Sequence, residues 1–116
     1  MSRPQIPRDP KNPAYDLIPE SLAKSIPRLY ATEKVSDPLV QVKFFTPDSS
    51  WTWFVTEFDP EERRCFGLVI GLERELGYFS LDELEEVKGP LGLPIERDLY
   101  FEPQPLSKCA PGLLLP

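Results

Sequence analysis

The stretch that decides the fold is Val40–Asp59, which reads VQVKFFTPDSSWTWFVTEFD. Two runs rich in β-branched and aromatic residues flank a polar segment, Thr46–Ser50, whose composition favours a turn. This order of strand-forming and turn-forming residues predicts a β-hairpin. Both tryptophans of the chain lie in its second run.

Alternation along the two runs predicts which side chains share a face of the sheet. In the first run, Val40, Val42 and Phe44 alternate with polar residues, so we expect these three on one apolar face. The second run divides into two sets that are both apolar or neutral, which is typical of a central strand covered on both faces. The two sets are Trp51, Trp53 and Val55 on one face, and Thr52, Phe54, Thr56 and Phe58 on the other.

Two helices are expected around the hairpin. The first lies within Leu17–Ile26, where Pro19 suits the first turn and Pro27 ends the helix. The second spans Ser80–Val87, since Ser80 and Glu83 have the spacing of a capping box. Its inner face would carry Leu81, Leu84 and Val87.

Short connections between the remaining apolar runs favour an antiparallel meander. Gly67 and Gly71 indicate a bulge or a close backbone approach in the third strand. We therefore predict an α+β fold, with an antiparallel sheet of four or five strands and two short helices. The strands after the hairpin are expected at Cys65–Leu72, at Leu76–Phe79 and within Glu96–Glu102, where Leu99 and Phe101 alternate with Asp98 and Tyr100.

Composition divides the 116-residue chain into one domain and two proline-rich arms. The length suffices for one hydrophobic core, and eight of the 15 prolines lie near the two ends. We expect an arm at residues 1–16, a single domain at 17–102 and a tail at 103–116. Prolines at every third position of the first arm fit a polyproline II helix, which serves either as a ligand segment or as a solvated linker.

The chain contains no histidine, and this excludes Ser–His and Cys–His nucleophile pairs and histidine metal ligands. Cys65 and Cys109 form no CxxC pair, and we expect both to be free thiols of a cytoplasmic protein, with a Cys65–Cys109 disulfide as the alternative. No signal-peptide pattern and no membrane-length apolar run is present in the sequence. Neither a cofactor nor a membrane association is therefore expected.

Acidic residues are concentrated in the second half of the chain. Residues 1–56 contain 7 basic and 6 acidic side chains, whereas residues 57–102 contain 5 basic and 13 acidic ones. Phosphate binding requires a basic patch, so direct nucleic-acid binding is not expected there. Large aromatics could stack on bases, but aromatics on sheets are mostly core residues; the candidates are Trp51, Trp53, Tyr78 and Tyr100.

The chain contains four distinctive motifs: FFTPD at Phe44–Asp48, WTW at Trp51–Trp53, ELGYFSL at Glu75–Leu81 and GPLGLPIERDLYF at Gly89–Phe101. Together they resemble a bacterial family catalogued as domain of unknown function 2958. The resemblance runs from about Leu17 to Leu106 and implies a small bacterial protein that is often carried on plasmids and other mobile elements. It implies no activity and no catalytic residue.

Two functional hypotheses follow from these observations. The leading one is a non-catalytic interaction module whose acidic surface binds a basic or DNA-handling protein. A homodimer is a further alternative, since the apolar tail can dock on its own domain or on another chain. The residues expected to contact a partner are Glu83, Glu85, Glu86, Leu113, Leu114 and Leu115.

The competing hypothesis is a Mg²⁺- or Mn²⁺-dependent enzyme that acts on nucleic acid or phosphoesters. Clustered carboxylates supply the oxygen ligands that these ions prefer. Solvated strand ends and surface ion pairs would give the same acidic pattern. The carboxylates that would have to converge are Glu57, Asp59, Glu73, Glu75, Glu96 and Asp98.

Overall fold

A five-stranded antiparallel sheet, accompanied by a two-stranded one, organises the part of the chain that the computed structural model describes, residues 16–110. The larger sheet has the order β5-β4-β3-β2-β6, and the smaller pairs β1 with β7. The predicted α+β class is confirmed, with three short helices rather than two. The elements are α1 (Glu20–Ala23), β1 (Leu39–Val40), β2 (Val42–Phe45), β3 (Thr52–Asp59), β4 (Arg64–Ile70), β5 (Arg74–Ser80), α2 (Leu81–Glu86), β6 (Glu96–Arg97), β7 (Gln104–Pro105) and α3 (Leu106–Cys109).

The predicted hairpin is confirmed as β2 and β3, which pair from Val42 opposite Val55 to Phe45 opposite Thr52. Val40 lies apart from it, because the strand is interrupted at Gln41 and β1 pairs with β7 instead. The expectation that Val40 shares a face with Val42 is therefore wrong.

A β-bulge in β3 changes which side chains share a face. The register with β4 shifts between Val55 and Glu57, so Thr56 is an extra residue, and its hydroxyl donates to the Phe66 carbonyl at 3.1 Å. An inserted residue reverses the alternation beyond it. Phe58 accordingly packs in the same core as Val55, and its predicted place beside Phe54 is wrong.

Gly67 lies opposite Val55 at this bulge. A Cβ atom on Gly67 would stand 1.8 Å from the Phe54 carbonyl oxygen, which is well inside van der Waals contact. The close backbone approach predicted for this glycine is therefore confirmed.

Two hydrophobic cores lie on opposite faces of the larger sheet. The first core packs the segment around α1, helix α2 and Ile95 onto the sheet residues Val42, Phe44, Trp53, Val55, Phe58 and Cys65. The second core is smaller and packs α3 on the other face. Its buried residues are Val40, Phe54, Leu68, Leu106 and Ala110.

Helix α2 begins at the predicted capping residue. The Ser80 hydroxyl accepts the Glu83 N–H at 3.2 Å, and Leu81 and Leu84 are buried as expected. Val87 is not part of the inner face, because the helix ends at Glu86 and Val87 takes an extended conformation with 41% of its surface exposed.

The last predicted strand is much shorter than expected. Of the predicted segment, only Glu96 and Arg97, which form β6, pair with β2. The backbone then turns at Asp98, whose side chain accepts the Tyr100 N–H at 2.9 Å. Aspartate favours such turns because its side chain bonds to the backbone two residues on. Alternation consequently fails beyond Arg97, where Asp98 is buried and Leu99 exposed.

Packed structure continues beyond the boundary predicted at residue 102. β7 pairs with β1, and α3 follows with Leu106 and Ala110 almost fully buried. The remaining parts of both predicted arms, residues 1–15 and 111–116, lie outside the described residues. Within residues 16–110, none of the helices has the length and apolar character needed to cross a membrane.

Candidate functional site

A cavity of about 330 Å³ opens on the second face of the sheet, next to the second core. Its walls come from the connector between α1 and β1 and from strands β3, β4 and β5. We call it the tyrosine pocket. The described residues that line it are Tyr30, Thr32, Glu33, Val35, Ser36, Pro38, Thr56, Glu57, Phe66, Leu76, Tyr78 and Leu106.

Three aromatic rings form one wall of the tyrosine pocket. The Phe66 and Tyr78 ring centroids are 4.9 Å apart, and Tyr30 meets Tyr78 edge-on at 6.3 Å. Tyr30 and Tyr78 are 60% and 51% exposed, so the wall is open to solvent. Aromatic faces left open in a cavity are available to a ligand.

A buried carboxylate, Glu57, also lines the cavity and holds the connector between α1 and β1 in place. Its Oε1 accepts the Tyr30 N–H at 2.8 Å, and its Oε2 accepts the Thr32 N–H at 2.8 Å and the Thr32 hydroxyl. These bonds offset the cost of burying the Glu57 side chain, which is only 3% exposed. Glu57 is therefore the anchor of the connector that carries Tyr30.

Tyr30 has a strained backbone, with φ at +72°. This left-handed region is unfavourable for a bulky residue, and such conformations persist only where the surroundings impose them. The bond from the Tyr30 N–H to Glu57 supplies that constraint. The strain is located at the pocket, because Tyr30 lines it.

Tyr78 lies beside Tyr30 in an acidic environment. Desolvation raises the pKa of Tyr78, and a hydrogen bond with Tyr30 and the charges of Glu57 and Glu33 raise it further. Tyr78 is therefore a neutral phenol at physiological pH. It can donate a hydrogen bond and offers an uncharged ring face.

The carboxylates proposed as metal ligands do not converge. Among residues 16–110, no group of three or more acidic or cysteine side chains is placed to hold a metal ion. Glu57 is bound by the connector, whereas Asp98 is buried with its Oδ2 at 3.8 Å from the Lys43 ammonium. Asp59 accepts the Glu61 N–H at 3.0 Å in the β3–β4 turn.

The other three carboxylates of that hypothesis lie towards the sheet's two edges. Glu73 and Glu75 are exposed at the start of edge strand β5. Glu96 lies in β6 at the opposite edge, where partial burial raises its pKa. No shared site is formed by these side chains.

Only two of the proposed partner-binding residues in α2 present their carboxylates to solvent. Arg63 donates to Glu85 at 2.6 Å and to Asp82 at 2.5 Å, so Glu85 is engaged and its side chain is only 18% exposed. Glu83 and Glu86 are exposed. The proposed Leu113, Leu114 and Leu115 lie outside the described residues.

The β3–β4 turn adds two further carboxylates beside α2. The Leu81 N–H donates to the Arg63 carbonyl at 2.8 Å, which fixes this turn against the start of the helix. Glu61 and Glu62 in the turn are exposed. We call this surface, formed by Glu61, Glu62, Glu83 and Glu86, the acidic end.

Neither cysteine is placed as a nucleophile. Both thiols are free, and burial raises the pKa of Cys65 to about 12 despite the nearby charge of Arg63. Burial also raises the pKa of Cys109. A thiol attacks as the thiolate, so Cys65 is a small core residue rather than a nucleophile.

The four aromatics considered as a base-stacking platform do not lie together, since Tyr100 is exposed in the turn after β6 and the other three are divided between the two faces. Trp53 is buried in the first core and stacks on the half-exposed Trp51 at 6.0 Å. Tyr78 lies on the other face, in the tyrosine pocket. The sequence expectation missed the partnership of Tyr78 with Tyr30, because 48 residues separate them and no local motif connects them.

The fold and the site define a small α+β protein with a cavity lined by aromatic and acidic side chains. The chain belongs to the family described as protein of unknown function (DUF2958), whose model matches residues 17–111. No curated protein and no solved structure matches it.

Proposed function

We propose that this protein is a non-catalytic interaction module that binds a basic or DNA-handling protein in the bacterial cytoplasm. The mobile-element setting implied by the family resemblance suits a protein that acts on a component of its host. The competing metal-dependent hypothesis lacks support, since the carboxylates it requires are scattered over the sheet.

The observation that carries the proposal is the excess of exposed carboxylates at the acidic end. Arg63 is already engaged by Asp82 and Glu85, so it does not neutralise the exposed Glu83 and Glu86 of the same helix. Arg64 and Lys88 are exposed cations close by in the sequence, and the four glutamates of the acidic end outnumber them. A surface on which one sign of charge predominates attracts a partner of the opposite sign.

The geometry of the acidic end is fixed rather than variable. The Ser80 cap and the bond from Leu81 to the Arg63 carbonyl hold α2 and the β3–β4 turn together. A preorganised charged surface loses less conformational freedom when it binds. Contacts of this kind weaken with salt, because the Debye length falls to about 3 Å at 1 M.

The test is capture of host proteins by the immobilised full chain at low and at high salt. A Glu83→Lys/Glu86→Lys variant reverses the charge of the exposed side of α2. A matched control, Glu20→Lys/Glu102→Lys, makes the same change in net charge at exposed positions outside the acidic end. We expect the wild type and the control to retain a set of basic proteins that the α2 variant loses.

Two results would overturn the proposal. One is that no basic or DNA-handling protein is retained by the wild type at low salt. The other is that the α2 variant retains the same proteins as the control, since binding would then not depend on the acidic end. A mobility-shift assay on single- and double-stranded DNA tests the third possibility, direct nucleic-acid binding.

A further inference from the structure

We propose that the tyrosine pocket receives a cationic side chain, a lysine ammonium or an arginine guanidinium, presented by the partner protein. This inference rests on the proposed function, and it names the chemistry by which the partner is recognised. The pocket is separate from the acidic end but close to it. Tyr78 precedes Ser80, the cap of α2, by two residues, which is about 7 Å along a strand.

The aromatic wall is suited to a cation. The face of an aromatic ring carries partial negative charge and attracts an ammonium or guanidinium group within about 6 Å of the ring centroid. Phe66, Tyr78 and Tyr30 form a continuous series of rings, with neighbouring centroids 4.9 and 6.3 Å apart. One cation can therefore lie within reach of more than one ring.

The charged side chains that line the pocket are both acidic. Glu57 is buried and Glu33 is exposed, and the charges of both raise the pKa of Tyr78. Among the twelve described residues that line the cavity, none is lysine or arginine. Low-dielectric walls focus such a field, so a cation is favoured over a neutral group of the same shape.

The pocket is also preorganised for a ligand. Three hydrogen bonds to Glu57 hold the connector, and they impose the left-handed backbone of Tyr30 that places its ring beside Tyr78. Strain maintained at a cavity is typical of a preorganised ligand clamp. Loss of the Tyr30 ring would therefore remove binding without removing a core residue, since Tyr30 is 60% exposed.

The first test uses defined small probes and the full chain. The probes are Nα-acetyl-lysine methylamide, Nα-acetyl-arginine methylamide and the neutral Nε-acetylated form of the lysine probe. Tyrosine ring signals in NMR spectra report occupancy of the pocket. We expect saturable shifts with at least one cationic probe and binding about ten-fold weaker for the neutral one.

Two variants remove the rings while preserving the fold. Tyr30→Gly suits the positive φ, because glycine adopts that region without steric cost. Tyr78→Ala removes an exposed ring from β5, whereas Tyr78→Phe keeps the ring face and removes only the hydroxyl. We expect the Tyr30→Gly and Tyr78→Ala proteins to bind the probe about ten-fold more weakly than the wild type, and the Tyr78→Phe protein to retain most of the binding. Tyr100→Ala, which removes an exposed tyrosine outside the pocket, should bind as the wild type.

The outcomes separate this inference from the proposed function. If no cationic probe shifts the tyrosine signals, or if the neutral probe binds equally well, the inference is overturned. It is also overturned if Tyr30→Gly and Tyr78→Ala capture the partner as strongly as the wild type while the α2 charge reversal loses it. In that case the proposed function stands alone. Probe binding without any salt-sensitive capture of a basic protein would support the cation site and overturn the proposed function.

Discussion

The two faces of the larger sheet are covered to very different extents. The first face is closed by the segment around α1, by α2 and by Ile95, and its central Phe44 has no exposed surface. The second face is covered by α3 over only part of its area, which leaves Leu76 and Tyr78 about half exposed beside the tyrosine pocket. From this difference we expect substitutions in the closed face to cost more stability than substitutions on the open one, and the open face is the one that carries the proposed cation site.

The largest expected effect distinguishes the two faces directly. Phe44→Ala should lower the free energy of unfolding by about 3–5 kcal/mol, because it leaves a cavity in the closed core. Leu76→Ala on the open face should cost about 1 kcal/mol or less, since half of that side chain is already in water. Urea denaturation of both variants measures the difference. Equal losses would show that the second face is as tightly packed as the first.

A substitution at the β3 bulge, where Gly67 lies against the Phe54 carbonyl, should also lower stability. Gly67→Ala should cost about 2–3 kcal/mol, because its new methyl group would meet the Phe54 carbonyl. Gly77→Ala is the matched control, since nothing lies within 4 Å of a Cβ at that position. The control should be neutral or slightly stabilising in the same urea titration. A Gly67→Ala protein as stable as the Gly77→Ala protein would contradict this account of the bulge.

A smaller loss of stability is expected at the N-terminus of α2, the helix that packs on the first face. Ser80→Ala removes the acceptor for the Glu83 N–H and should cost about 1 kcal/mol. Ser50→Ala, at an exposed position in the hairpin turn, should leave stability unchanged. Thermal unfolding of the two variants provides the comparison, and identical midpoints would argue against the Ser80 cap.

The smallest effect concerns α3, which covers part of the second face. Asp37 bonds to Ser107, with its Oδ2 accepting the hydroxyl and its Oδ1 the N–H, and these bonds lower the pKa of Asp37. A lowered pKa means that this stabilisation is present above the ordinary value near 3.8 and is lost as the pH falls through the folded-state value below it. We expect the Ser107 amide signal in NMR spectra to shift over that acidic range.

An Asp37→Asn variant tests the assignment of this transition. Its side chain does not titrate there, so the acid-induced shift at Ser107 should disappear. A transition of the same size and midpoint in the variant would show that another group is responsible.

Much of the fold could be predicted from the sequence because its signals are local. The hairpin, the Ser80 cap and the close approach at Gly67 all depend on neighbouring residues or on one backbone position. The errors occurred where pairing between distant segments decides the outcome. Phe58 lies on the opposite face from the predicted one because β3 has a bulge in its register with β4. Val40 lies outside the hairpin because it pairs with Gln104.

The tyrosine pocket could not be predicted for the same reason. Glu57 was identified as one of several strand-end carboxylates, but its partners in the connector, Tyr30 and Thr32, are 27 and 25 residues away. The sequence also gave no indication that Glu85 is engaged by Arg63. Charge composition identified the acidic half of the chain, whereas the availability of each carboxylate depends on tertiary contacts.

The pairing of β1 with β7 has a consequence for the order in which the chain folds during synthesis. The first core draws its residues from Leu17 to Ile95, all of which precede the residues that complete the second core. The second core needs Leu106 and Ala110, which must return to Val40 across a long loop. We therefore expect its apolar side chains to be covered last, so that this face is exposed longest to other unfolded proteins.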